Sequence, residues 1–323
     1  MTRAGPASPQ IDEIVQRLLQ GERRALARVI SLVENASADG RQALALLYKR
    51  TGRAHVVGIT GGSGTGKSTL TCALALEYRR RGRSVGIVAV DPSSPFTRGA
   101  LLGDRIRMQE LSRDPEVFVR SMATRGELGG LAPMAAEVAD VLDAAGKELV
   151  IIETVGAGQD EVEVASAAET TVLVLTPAGG DDVQAMKAGI MEVADLLVVN
   201  KADLPGADAL AAQLTATASQ ALPRKGRLDV PVLQTVATKE AGIAELADAI
   251  DEHKRRLQSS GELERLRLER ARRQLLALAR QQLLARVVRA TERDGRLEAL
   301  VRAVAARELD PYEAARQLIG ASR

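Results

Sequence analysis

Apolar positions along this chain change period several times, and the period assigns the elements. Near the N-terminus Ile11, Ile14, Val15, Leu18 and Leu19 recur at helical spacing behind Ser8-Pro9, a good cap and first-turn pair, while residues 1–7 carry no such pattern and read as disordered. Gly21 interrupts that helix; Ala25, Leu26, Val29, Ile30 and Val33 predict a second, and Ala43 to Tyr48 a third. The pattern then turns to short apolar runs rich in β-branched residues: Val56-Val57-Gly58-Ile59, Val85-Gly86-Ile87-Val88-Ala89-Val90, Leu149-Val150-Ile151-Ile152, Leu196-Leu197-Val198-Val199 and Val230-Pro231-Val232-Leu233. Runs without polar alternation fit strands of a parallel sheet covered on both faces, and Leu70, Ala73, Leu74 and Leu76 place a helix directly after the first of them. Beyond Gly261 the helical period returns. Leu268, Leu275, Ala279, Leu283 and Val287 share a face, Asp294-Gly295 marks a turn, and Leu297, Leu300, Val301 and Val304 form a returning helix. Asp310-Pro311-Tyr312-Glu313 opens a last short helix as a capping box. The expected organisation is α/β: a helical extension over residues 1–50, a domain with a mostly parallel sheet flanked by helices over 51–252, and a helical arm over 253–323.

The turn between the first strand and its helix reads Gly61-Gly62-Ser63-Gly64-Thr65-Gly66-Lys67-Ser68-Thr69, which is G-x-x-x-x-G-K-S. Glycines let a backbone curl so that its N–H groups face phosphates, and the helix that follows adds its positive end. Lys67 is placed to reach the β- and γ-phosphates and Ser68 to ligate Mg²⁺. A chance glycine-rich turn can match the same pattern, but the strand before it and the helix after it supply the context the chemistry needs. Downstream, Asn200-Lys201-Ala202-Asp203 follows a strand-like run. A carboxylate beyond a strand end can accept both the N1–H and the exocyclic amine of guanine, a pattern that adenine does not offer. Four such residues also occur as a helix cap; behind a phosphate loop they favour GTP over ATP. The segment Thr235-Val236-Ala237-Thr238-Lys239 could add a backbone N–H to the guanine oxygen.

Two further runs end in carboxylates, at Asp91 and at Glu153, where ligands bind in open α/β sheets. Glu153 is the candidate for the carboxylate standing behind Mg²⁺, and the Gly156 N–H for a γ-phosphate sensor; the alternative is that both acids only cap their strands. Asp104, in Gly103-Asp104-Arg105-Ile106-Arg107-Met108, could join the metal when a loop closes. Gly179-Gly180-Asp181-Asp182, with Gln184 and Lys187, reads as a mobile segment or as an ordinary strand-to-helix loop. Arg107 and Lys187 are alternative cations for transition-state charge.

These motifs, together with Asp91-Pro92-Ser93-Ser94, Leu102-Gly103-Asp104-Arg105, Arg125-Gly126 with Leu128-Gly129-Gly130, Gly158-Gln159 and Lys187-Ala188-Gly189-Ile190, resemble the MeaB/ArgK family of GTPases from about residue 10 to the C-terminal end. The resemblance implies a P-loop NTPase fold of the SIMIBI type and slow turnover of GTP to GDP. It also implies a homodimer built by terminal helices, and a role as chaperone of an adenosylcobalamin-dependent acyl-CoA mutase such as methylmalonyl-CoA mutase. It would give Lys67 and Ser68 to phosphate and Mg²⁺, Asp91, Asp104 and Glu153 to the metal and attacking water, and Asp203 to guanine. Two positions depart from the family: Gly62-Ser63 stands where a proline is frequent, and Val236-Ala237 where Ser-Ala is usual.

Composition narrows the alternatives. Aromatics make up 2% of the 323 residues with no Trp, and formal net charge is +2, so a base-stacking nucleic-acid surface is not expected. No apolar run approaches a membrane span and no signal-like segment opens the chain, which points to the cytoplasm. A metal-insertion GTPase would need clustered Cys and His, yet Cys72, His55 and His253 are far apart in sequence. Cys72 reads as a core position on its helix. A kinase acting on a protein or guanidino compound has no catalytic signature of its own. The C-terminal helical hairpin carries more apolar surface than it can bury on itself; its partner is either its own nucleotide domain or a second copy.

Overall fold

The computed structural model describes residues 9–91, 111–123, 131–154, 167–177, 194–220 and 230–320. Expectations for residues 1–7, Asp104, Arg107, Gly156, the 179–182 segment and Lys187 lie outside the described residues. The chain forms two compact units, Met1–Leu263 and Glu264–Arg323. In the first, helices α1 (Pro9–Leu19), α2 (Arg23–Glu34) and α3 (Ala38–Leu47) precede β1 (His55–Thr60), α4 (Lys67–Arg80), β2 (Val85–Asp91), β3 (Val117–Ala123) and α5 (Leu131–Ala144). There follow β4 (Leu149–Glu153), β5 (Thr170–Leu175), β6 (Leu196–Asn200), α6 (Ala207–Gln220), β7 (Val232–Thr235) and α7 (Ile243–Ser259).

Among the described residues seven strands form one sheet in the order β3-β2-β4-β1-β5-β6-β7, and each of their pairings is parallel. Side chains alternate between faces along a strand, and the unbroken apolar runs of β1, β2, β4 and β6 therefore feed apolar clusters on both faces of the sheet. Val57, Ile59, Ile87, Ile151, Val172 and Val198 pack with Leu70, Leu74 and Tyr78 of α4 and Leu246 and Ile250 of α7. On the other face Val56, Val88, Val90, Val150 and Ile152 pack with α5 and with Ile11, Val15, Leu26, Val29 and Ile30 of the N-terminal helices, while Leu173, Leu175, Leu197 and Val199 pack with Leu214 of α6. Helices α1–α3 thus share a core with the sheet. They are also pinned to its edge: Arg23 Nη1 donates to Val117 O at 2.7 Å with its guanidinium 5.3 Å from the Phe118 ring, and Arg120 Nε donates to Glu34 Oε1 at 2.7 Å. Cys72 is half-buried against the α4 side of the core.

The second unit holds α8 from Glu264 onward (the helix runs Glu262–Arg293), α9 (Arg296–Ala305) and α10 (Pro311–Gly320). Asp310 caps α10, its Oδ1 accepting from the N–H groups of Tyr312 at 2.9 Å and Glu313 at 3.1 Å. Leu268, Leu275, Leu276, Leu283 and Leu284 of α8 are exposed. Among the described residues no helix is long and apolar enough to cross a membrane.

The two histidines, almost two hundred positions apart in sequence, meet on one hydroxyl. Thr170 Oγ1 lies 2.8 Å from His55 Nε2 and 2.8 Å from His253 Nδ1, and having one hydrogen it donates to one ring and accepts from the other. His253 Nε2 lies 3.6 Å from Asp195 Oδ1, and Asp195 Oδ2 accepts from Thr171 N at 2.8 Å. Burial, helped by the charges of Lys254, His253 and Arg83, pushes His55 down from 6.5 to about 3. Between those values the unfolded chain binds a proton at this residue that the folded chain refuses, so stability is lost as pH falls from 6.5 toward 3. At pH 5 this loss is about 2 kcal/mol, at about 1.4 kcal/mol per pH unit. Urea denaturation at pH 7 and pH 5 should show a smaller acid-induced loss for His55→Gln than for the wild type; equal losses would show that His55 is not the group responsible.

Candidate functional site

The site lies at the carboxyl ends of the central strands. After β1 the backbone must turn sharply, and glycine permits it: Gly61 has φ of 143°, and a Cβ there would collide with the Val174 carbonyl of β5. Gly66, at φ of 90°, leads into α4 where any Cβ would press on the Asn200 amide. The loop is closed by its own groups. Lys67, nearly buried, donates from Nζ to the carbonyls of Gly61 and Gly62, both at 2.8 Å, and Thr65 Oγ1 donates to Gly62 O at 3.0 Å. Ser63 and Gly64 are exposed at the tip, and Thr69 is half-buried in the first turn of α4.

Ser68 Oγ hydrogen-bonds Glu153 Oε1. Glu153 is 5% exposed at the last position of β4, and in register it pairs with Ile59 of β1 on one side and Ala89 of β2 on the other. Asp91 ends β2 two residues past Ala89, its backbone in register with Ala123 of β3. The structure therefore brings Ser68 and Glu153 together and sets the Asp91 backbone at the same end of the sheet. Thr154 ties this edge to β1, its N–H bonding Ile59 O at 3.0 Å and its hydroxyl Thr60 Oγ1 at 3.1 Å.

On the other flank Asn200 ends β6. Its Nδ2 donates to Thr65 O at 2.8 Å, and its Oδ1 accepts from Thr235 Oγ1 at 3.1 Å and from Ala237 N at 3.2 Å. Lys201, with φ of 56°, donates from Nζ to Gly64 O at 2.8 Å. Asp203 is exposed and accepts from Lys239 Nζ at 2.9 Å, and this bond holds its carboxyl below the usual carboxylate range. Val236 is half-buried and bridges Ala241; Thr238 is exposed beside it. Two features escaped sequence reasoning. Ala237's N–H is engaged by Asn200, and Lys239, four residues beyond a strand, is the counter-ion of Asp203; its place in the loop after β7 was visible, its partner was not.

The arrangement joins a phosphate loop, an oxygen-only Ser–carboxylate pair and a carboxylate on an adjoining loop, and the Asn200 amide locks the first to the last. Asn200→Ala would leave the Thr65 carbonyl and the Ala237 N–H without these bonds, at a cost of about 1–3 kcal/mol for buried groups. Urea denaturation without nucleotide checks this; an unchanged midpoint would remove Asn200 as the tie.

Residues 26–292 match the family model described as methylmalonyl-CoA mutase-associated GTPase MeaB. A GTPase of Pyrococcus abyssi is 47% identical over 96% of each chain. The Escherichia coli protein named GTPase ArgK is 40% identical over 80% of each chain. The mitochondrial methylmalonic aciduria type A homolog of Caenorhabditis elegans is 38% identical over 80% of this chain and 69% of its own. A crystal structure described as a LAO/AO transport system kinase superposes with a TM-score of 0.72 at 31% identity, covering 96% of both chains. The all-parallel seven-stranded sheet is a P-loop NTPase fold, and the chain belongs to the MeaB family of methylmalonyl-CoA mutase-associated GTPases.

Proposed function

We propose that this chain hydrolyses GTP to GDP and phosphate with Mg²⁺, slowly when alone, and serves as the chaperone of an adenosylcobalamin-dependent acyl-CoA mutase. The observation that carries the nucleotide chemistry is the meeting of Ser68 with Glu153 beside a phosphate loop whose far side is locked to the Asp203 turn by Asn200. Hard oxygen donors of this kind suit Mg²⁺: Ser68 and Glu153 would hold it, with Asp91 and Asp104, and when bound it neutralises charge on the phosphates. Lys67 would exchange its two loop carbonyls for phosphate oxygens, and Gly61 to Thr69 would offer backbone N–H groups. Gly156 would sense the γ-phosphate, and Arg107 or Lys187 would supply the cation for transition-state charge.

Asp203 would read guanine, with Asn200, Lys201 and the Val236–Thr238 turn shaping the base site. Since the Ala237 N–H is engaged by Asn200, a backbone contact to the guanine oxygen would fall to Thr238 or replace that bond. Asp203→Asn removes two charge-assisted acceptors, so GTP affinity should fall about a hundredfold while XTP affinity rises; an unchanged preference in competition binding would remove the guanine assignment.

The client reading rests on the family description and on the relative named for methylmalonic aciduria. The exposed leucines of α8 support a homodimer in which a second copy of the arm covers them, and the cytoplasm is the compartment that fits. GTP turnover by the purified protein should rise severalfold when a cobalamin-dependent acyl-CoA mutase is added, with ATP as the inert control. Turnover indifferent to every such mutase would keep the GTPase and discard the chaperone role.

A further inference from the structure

At the opposite end of the sheet from the phosphate loop, a cleft of about 590 Å³ is lined by Arg50, Arg53, Arg83, Lys147, Lys254 and Arg255, with Asp143, Glu148 and Asp251 among them. Its walls come from four separate stretches: the approach to β1, the α4–β2 turn, the α5–β4 turn and the last turns of α7. Six cations from four stretches converge on one concavity of ligand size. The three carboxylates do not answer them evenly, because each is committed to the protein's own donors.

Asp143 is 6% exposed and accepts from the backbone N–H groups of Gly52 at 2.5 Å, Arg53 at 3.1 Å and Ala54 at 2.9 Å, which folds the approach to β1 against α5. Glu148 Oε2 accepts from Ser84 N at 3.0 Å. Asp251 is shared by Arg83 Nη1 at 2.7 Å, Arg81 at 3.6 Å and the Tyr78 hydroxyl at 3.3 Å. Outside the lining, Glu252 pairs with Arg255, and Glu116 offers Lys147 its carbonyl at 3.0 Å and its carboxylate at 3.6 Å. Among the described residues no carboxylate stands within ion-pair distance of Arg50 or Arg53.

Two groups beside the cleft are shifted, chiefly by burial. Lys147 has a side chain only 11% exposed, and burial holds its ammonium below the usual lysine range, with Arg23 and Arg79 adding to the effect against the pull of Glu116. His55, buried at the start of β1, is depressed by burial and further by Lys254 and Arg83 from the cleft. Arg50 and Arg53, exposed and with no carboxylate at ion-pair distance among the described residues, are left to attract anions. None of the described residues that line the cleft is aromatic, so they offer no surface on which a base would stack. Guanidinium forks match phosphate oxygens in pairs.

We propose that this cleft is a second anion site that binds a small phosphorylated molecule carrying several negative charges, with Arg50 and Arg53 as its recognition forks and Lys147 and Lys254 supplying charge behind them. The site is separate from the nucleotide loop, at the N-terminal ends of β1, β2 and β4, and does not depend on the nucleotide reading.

Calorimetric titration of the full-length protein tests it, with tripolyphosphate as the probe and excess GDP and Mg²⁺ present throughout. The expected result is saturable binding at one site in low salt, weakened by raising salt and weakened about tenfold or more in Arg50→Glu/Arg53→Glu. The Arg50→Lys/Arg53→Lys variant should retain most of the affinity, and both variants should melt as the wild type does. Fructose 1,6-bisphosphate in place of tripolyphosphate distinguishes a phosphorylated metabolite from free polyphosphate, and binding of either supports the site. No saturable binding, or equal affinity in the charge-reversed variant, would overturn it. Equal or tighter binding of citrate would overturn the phosphate assignment, as would binding of hexaglutamate without binding of either phosphate probe.

Discussion

One planar amide fixes the geometry of the nucleotide end. Asn200 is 2% exposed, and an amide so deeply buried must satisfy its donors and acceptor within the protein or destabilise it. It does so by bonding three segments: the phosphate loop through Thr65 O, the end of β7 through Thr235 Oγ1, and the following turn through Ala237 N. Those segments cannot shift independently. Lys201 reinforces the tie from a left-handed backbone conformation that costs a non-glycine residue about 1 kcal/mol, held by the Ala202 N–H on Thr235 O at 3.0 Å and by its own ammonium on Gly64 O. A site that must recognise both ends of one ligand gains from this rigidity, since little ordering remains to be done on binding.

The sheet supplies the frame that makes such a tie possible. Parallel strands put all their carboxyl ends on one edge, so Thr60, Glu153 and Asn200 arrive together although they come from β1, β4 and β6. Parallel strands also require cover on both faces, and the chain meets that demand by drawing α1–α3 into the core with α5.

Much of this was legible in the sequence, and the exceptions have physical causes. The runs at β1, β2, β4 and β6 are apolar throughout because both faces are buried, and the phosphate loop stands out because its glycines are needed for conformation. The strand β3 is at an edge, where Arg120 turns out to meet Glu34, so its pattern is broken. The strand β5 is central but opens with Thr170 and Thr171, whose polar atoms bond His55, His253 and Asp195; a buried polar network hides a strand from any hydropathy reading. The run Val230–Leu233 was legible, yet β7 spans Val232–Thr235, because pairing with β6 rather than hydropathy sets its limits. The meeting of His55 with His253, and of Asp203 with Lys239, depends on tertiary contacts that spacing along the chain does not encode.

The helix α4 then gives the molecule a mechanical axis. Its first turn carries Lys67 and Ser68, and its other end is fastened to α7 by charge as well as by packing. Tyr78 donates its hydroxyl to Ala247 O at 3.2 Å, Arg81 Nη1 reaches Asp248 at 2.7 Å, and Arg83, just beyond the helix, reaches Asp251 at 2.7 Å. Guanidinium–carboxylate pairs that are partly shielded and share one acceptor resist sliding more than a single exposed pair does. A displacement of α4 at the phosphate loop must therefore either stretch these bonds or carry α7 with it. Moving α7 as a body costs in turn the bond of His253 Nδ1 with Thr170 Oγ1 and the packing of Leu246 and Ile250 with Val172 and Val198 of the sheet, while breaking the Asp251 cluster leaves a partly buried carboxylate with fewer donors. Both ends of α4 are therefore held, one at the phosphate loop and the other through α7 to the sheet, and α8 follows α7 in the chain after Ser260 and Gly261.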